Sequence, residues 1–85
     1  MKLERLLKAL ANKRRLEILK ALRKEEELSV GEVAETIGLS LKATSRHLAI
    51  LAHADILEKE QRGLQVFYRL ASLQEKTTKS VLSLL

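Results

Sequence analysis

Gly38 separates two stretches of helical apolar period, and that junction constrains the chain more than any other feature. Before it, Val30, Val33, Ala34 and Ile37 recur at the spacing of one short helical face. After it, Ser40 is a residue type whose oxygen can accept an orphan N–H at the start of a new helix. The segment "LKATSRHLAILA" then puts Leu41, Thr44, Leu48, Leu51 and Ala52 on one side. Glycine suits the junction because helices often end in a left-handed residue, which glycine adopts without strain. A short helix, a three-residue turn holding a glycine and a second helix make a helix-turn-helix.

The flanking segments predict the remainder. Leu3, Leu6, Leu7 and Leu10 define a first helix. Asn12 caps a second, carrying Leu16, Ile18, Leu19 and Leu22, which ends in the polar run "RKEEE". Past Asp55 the helical period gives way to β-branched and aromatic residues, "ILEKEQRGLQVFYRL", read as a hairpin turning at Arg62-Gly63. Val66, Tyr68 and Leu70 then share one face of the second strand, and Gln65, Phe67 and Arg69 the other. Leu73, Thr77, Val81 and Leu84 suggest a last helix. The fold class is mainly α with a small β-hairpin: a winged helix-turn-helix in the order α-α-α-α-β-β-α. Residues 1–85 form a single domain, with no linker or repeat.

Composition excludes several classes. There is no Cys, so thiolate metal sites, disulfides and thiol switches are ruled out. "MKLERLLKAL" lacks the apolar core of a signal peptide, and the longest apolar run is "LAILA", far short of a membrane span. The expectation is a soluble cytoplasmic protein. No nucleophile–base pair, phosphate-cradling glycine loop or paired carboxylates stand out, so neither an enzyme nor a cofactor is expected. The net charge is +5, with nine Lys or Arg in residues 1–24 and five Glu but no base in residues 25–37. A basic chain favours polyanionic partners.

The second helix of the helix-turn-helix is the candidate site. In this motif it lies in the major groove of double-stranded DNA, with its N-terminal residues at base edges. At about 100° per residue, Lys42, Ser45, Arg46, Ala49 and His53 fall opposite the apolar side, with Ala43 near them. Arg can fork onto guanine, Ser can serve donors or acceptors, and the Ala43 methyl can meet a thymine methyl. The contact set is Ser40, Lys42, Ala43, Thr44, Ser45, Arg46 and His47, with Arg62 at the wing tip placed for a phosphate or the minor groove. The plainer alternative is a solvated amphipathic face; the turn and the wing weigh against it. Arg14 and Arg15 open the second helix, where the dipole disfavours cations, and are expected to pair with Glu25 to Glu27 or to touch phosphate. His47 lies at the edge of the buried face and reads first as a packed, hydrogen-bonded residue.

The segments "ALANKRRLEIL", "ELSVGEVAETIGLS", "SRHLAIL" and "GLQVFYRL", in that order, resemble the ArsR-type winged helix-turn-helix repressors over roughly residues 7–70. Ser45, His47 and Leu48 match the Ser-x-His-Leu of that family's recognition helix, and Tyr68 to Leu70 match its Tyr-Arg-Leu strand end. The resemblance implies DNA binding and pairing through the first and last helices. Metal-sensing members resemble "ELCVCDL" where this chain has "ELSVGEV", with Ser29 and Gly31 in the thiolate positions, and the last helix offers Glu75 but no His. No metal site is therefore expected. Leu3, Leu7 and Leu10, with Val81, Leu84 and Leu85, are the expected dimerisation residues, since a chain this short leaves such stripes uncovered. The combined reading is a homodimeric repressor on an inverted-repeat operator, its inducing ligand undefined. The rival is a winged-helix protein-interaction module, an adaptor or antitoxin, which has no need of Lys42, Ser45 and Arg46.

Overall fold

The computed structural model describes residues 2–72 and 76–85, so Leu73 and Glu75 lie outside the described residues. The elements are α1 (Lys2–Leu10), α2 (Lys13–Lys24), β1 (Leu28–Ser29), α3 (Val30–Ile37), α4 (Leu41–His53), β2 (Leu57–Arg62), β3 (Gln65–Leu70) and α5 (Lys76–Ser83). The winged helix-turn-helix order is present, with one addition. β1 pairs antiparallel with β3, Leu28 opposite Tyr68 and Ser29 opposite Phe67, giving a three-stranded sheet in the order β1-β3-β2. A two-residue strand is too short to show an alternating pattern, so it leaves no trace in the sequence.

Side-chain caps set the helix starts. Asn12 accepts from the Arg15 N–H at 3.1 Å, and Ser40 from the Ala43 N–H at 3.2 Å. Ser29 and Glu32 form a reciprocal capping box at the head of α3, at 3.2 and 2.8 Å. Gly38 is left-handed, φ 65° and ψ 45°, and lets the Leu39 N–H reach back to the Ala34 carbonyl at 3.0 Å. Asp55, at φ 60°, ends α4 in the same way, with the Ile56 N–H on the Leu51 carbonyl at 3.0 Å. In the hairpin Arg62 pairs with Gln65, so the turn residues are Gly63 and Leu64, one position beyond the expected Arg62-Gly63. Gly63 supplies the positive φ, 62°, at the first of them.

The core forms around α2. Ile18, Leu19 and Leu22 meet Leu6 and Leu10 of α1, Val33 of α3, Leu48 and Leu51 of α4, Leu57 and Tyr68 of the sheet, and Leu82 of α5. Two expectations are corrected. Leu10, assigned to the dimer stripe, is buried in this core because it lies beside Leu6 and Ala9 on the inner face of α1. The inward face of α5 is Thr78 and Leu82, one residue round from the expected stripe. Val81 is half-buried against the core, and Leu84 is 84% exposed.

A Cβ at Gly38 would meet nothing within 4 Å, so the cost of Gly38→Ala is purely conformational. It should lower stability by about 1–2 kcal/mol. Gly31→Ala, in an open helical position of α3, should raise stability by up to about 1 kcal/mol. Urea unfolding of both variants, with an unchanged m-value, checks the pair.

Candidate nucleic-acid interface

α4 divides cleanly into two sides. Leu48 and Leu51 are fully buried, while Lys42, Ser45, Arg46, Ala49 and His53 are exposed and Ala43 is half-buried. Thr44 must be removed from the contact set: it is 0% exposed, one turn before Leu48 on the same face, and no partner for its hydroxyl is found among the described residues. Leu41, expected inward, is 60% exposed, because the first turn of α4 runs past the edge of the core. Ile50 is 37% exposed on the outer side. Ser40 is exposed, but its hydroxyl oxygen is engaged as the helix cap.

The arginines at the start of α2 do not reach the acidic run at Glu25 to Glu27. Arg15 donates to the carbonyls of Ala9 at 2.6 Å and Lys8 at 3.2 Å, at the C-terminus of α1. Arg14 donates to the Ile37 carbonyl at 2.8 Å, at the C-terminus of α3, and to Glu17 at 3.1 Å. These carbonyls are last-turn groups with no intrahelical partner, and they carry the negative end of the helix dipole. Arg15 also lies 3.1 Å from His47 Nδ1. A guanidinium can only donate, so Nδ1 accepts and the neutral ring carries its proton on Nε2. Burial, followed by the charges of Arg15, Arg46 and Arg14, holds the His47 imidazole below its ordinary value.

The wing is self-neutralised: Arg62, placed by the sequence for a phosphate or the minor groove, is engaged by protein carboxylates. Its guanidinium forks onto Glu27 at 2.6 and 2.7 Å, reaches Glu60 at 3.1 Å and lies 4.6 Å from the centre of the Phe67 ring. Arg69 adds contacts to Glu58 at 3.5 Å and Glu60 at 3.3 Å. The hydrogen bond from Arg62 is the main reason that Glu27 and Glu60 are held below the usual carboxylate range; for Glu58 it is the Ser72 N–H. Glu27 is thus a wing residue that the sequence reading missed. No local pattern links it to Arg62, which is 35 residues away.

The recognition face differs from the wing. Among the described residues, neither Lys42 nor Arg46 forms an ion pair or a side-chain hydrogen bond, whereas Arg14, Arg15, Arg62 and Arg69 are all engaged by protein acceptors. Among the described residues no cluster of His, Asp or Glu could hold a metal ion, and no helix is long and apolar enough to cross a membrane.

Fold and site together define a winged helix-turn-helix domain. A sequence profile of the helix-turn-helix domain family matches residues 10–60. The transcriptional activator HlyU of Vibrio cholerae is 45% identical over 71 residues, covering 84% of this chain and 65% of HlyU. The solved HlyU structure superposes with a TM-score of 0.81 at 40% identity, over 98% of this chain and 86% of that one. The homodimeric winged helix-turn-helix DNA-binding domain of Mb0332 from Mycobacterium bovis gives 0.81 at 31% identity, over 98% and 73%. The transcriptional repressor BigR from Xylella fastidiosa gives 0.79 at 30% identity, over 96% and 80%. The chain belongs to the ArsR-type winged helix-turn-helix family. It spans less than two thirds, 65%, of the length of the curated HlyU protein it matches.

The buried Thr44 hydroxyl is a desolvated polar group with no partner among the described residues, an arrangement that costs about 1–3 kcal/mol. Thr44→Val keeps the shape and removes that group. It should raise the melting temperature, by an amount equivalent to about 1 kcal/mol, and leave any DNA affinity unchanged. Reduced affinity in a stably folded Thr44→Val variant would return Thr44 to the contact set.

Proposed function

We propose that this chain is a sequence-specific DNA-binding transcriptional regulator, a homodimer on an inverted-repeat operator, acting in the cytoplasm as a repressor without cofactor or catalysis. One observation carries the reading. Among the described residues, the outer face of α4 presents Lys42, Ser45 and Arg46 with no intramolecular ion pair, in a molecule whose other arginines, Arg5 excepted, are all held by protein acceptors. Ala43 and Ala49 keep that face low enough to enter a groove. Ser40 and His47 flank it, His47 with Nδ1 occupied and Nε2–H as its remaining donor. Relatives named as transcriptional regulators support the reading, with HlyU called an activator and BigR a repressor. Repression requires nothing beyond occupancy of an operator that overlaps a promoter.

Binding should separate into two kinds of contact. Operators are first selected from a random DNA pool, and affinities are then measured across salt and across single-base variants. Arg46→Ala should cost about 1–3 kcal/mol and relax preference at one operator position. Lys42→Ala should weaken all sequences alike and lower the salt slope by about one unit. Both variants should melt like the parent, because neither side chain contributes to the core. Parental affinity in both would leave the α4 face as plain solvated surface and favour the protein-interaction module.

Dimerisation is proposed on the exposed stripe of α1, where Leu3 is 51% and Leu7 47% exposed, together with Leu84 and Leu85 beyond α5. The homodimeric Mb0332 domain supports it. Two copies related by a two-fold axis present two recognition helices to two half-sites. Sedimentation equilibrium at micromolar concentration should show a dimer, and Leu3→Glu with Leu7→Glu should shift it to monomer and weaken operator binding. A wild-type monomer on DNA as well as free would refute this assembly.

A further inference from the structure

A groove of about 880 Å³ runs between α1 and the C-terminal half of α4, a size within the range of small-molecule sites. Its lining contains Ala9, Ala49 and Ile50, and its walls carry Arg5 from α1 and Arg46 from α4. Among the described residues neither guanidinium has a carboxylate partner. The one acidic residue in the lining, Glu4, is 3.8 Å from Lys8, which adds a further cation to the rim. We propose that this groove binds an amphipathic small-molecule anion, a medium-chain carboxylate in type, and that its occupancy excludes DNA from α4.

Charge complementarity selects the occupant. An apolar tail covers Ala49 and the exposed part of Ile50, while a carboxylate meets Arg5 or Arg46. A DNA backbone would satisfy the cations and leave the apolar lining unfilled. A second copy of the chain fits worse still: a two-fold contact here would bring the Arg5, Lys8 and Arg46 of both copies into one seam. The neighbouring Leu3 and Leu7 stripe has no such conflict. Exclusion follows because Arg46 and Ala49 belong both to the groove and to the outer face of α4. The binding claim stands by itself, and the exclusion claim rests on the operator-binding reading above.

The chain's four isoleucines allow a direct test. Ile50 lines the groove, while Ile18 and Ile56 are buried in the core. With isoleucine methyls labelled with carbon-13, decanoate below its micelle concentration should shift Ile50 saturably and leave Ile18 and Ile56 in place. Acetate and decyltrimethylammonium should leave Ile50 unmoved. Arg5→Ser should weaken decanoate at least fivefold while operator affinity stays within twofold of the parent. Decanoate should release labelled operator in step with Ile50 saturation. An unmoved Ile50, or an equal response to the cationic amphiphile, would overturn the site. So would an operator affinity that falls in Arg5→Ser, which would make the surface a DNA-backbone contact. DNA retained on a saturated groove would overturn the exclusion. A parent that binds no operator at all would sink the DNA-binding reading, with the Ile50 shift still reporting on the groove.

Discussion

Three helix C-termini are held by arginines of a single helix. Arg15 bonds the last carbonyls of α1, Arg14 that of Ile37 in α3, and Arg23 that of Leu82 in α5. Each target belongs to a last turn, where the dipole is negative, so a guanidinium supplies both hydrogen bonds and charge; the Leu82 carbonyl also accepts from the Leu85 N–H at 3.1 Å. The same side of α2, between and beside these arginines, carries Ile18, Leu19 and Leu22 into the core. α2 is therefore both the apolar axis of the domain and its electrostatic clamp, and the other helices take their places from it.

The candidate interface depends on this clamp through His47. The Arg15 contact ties the middle of α4 to the corner between α1 and α2 and needs a neutral imidazole. Because the folded protein holds His47 below its ordinary 6.5, the stabilisation from the neutral ring is fully present above that value and is lost as pH falls below it. Acidification therefore removes the Arg15–His47 tie, while burial of Leu48 and Leu51 keeps α4 in place.

The wing follows the opposite electrostatic logic. Glu27, Glu58 and Glu60 surround Arg62 and Arg69, so the hairpin shows a DNA partner little net positive charge. Carboxyls held below the usual range favour the folded wing above about pH 4.5, and that contribution is lost as pH falls through their lowered values. With Arg62 and Arg69 engaged in the wing, Lys42 and Arg46 on α4 stand apart, among the described residues, as cations of the helix-turn-helix without an ion pair.

How much could be read from the sequence depended on the range of the interactions. The helices, their Asn and Ser caps, the Gly38 stop and the hairpin were all legible, because each rests on neighbours within a few residues and on a repeating apolar spacing. The exposed placement of Lys42, Ser45 and Arg46 followed from the same periodicity. Tertiary structure alone decided which arginines are free. Arg15 and His47 are 32 residues apart and Arg62 and Glu27 are 35 apart, distances at which no local pattern pairs a cation with its acceptor. It likewise buried Thr44, exposed Leu41 and brought the two residues of β1 against β3, since depth in a core and the partner of a short strand are set by how elements pack. Sequence thus determined the elements and the outward face of α4, through local backbone and periodic constraints. Packing decided which arginines remain without a protein partner, because an arginine's availability depends on acceptors brought to it from far along the chain.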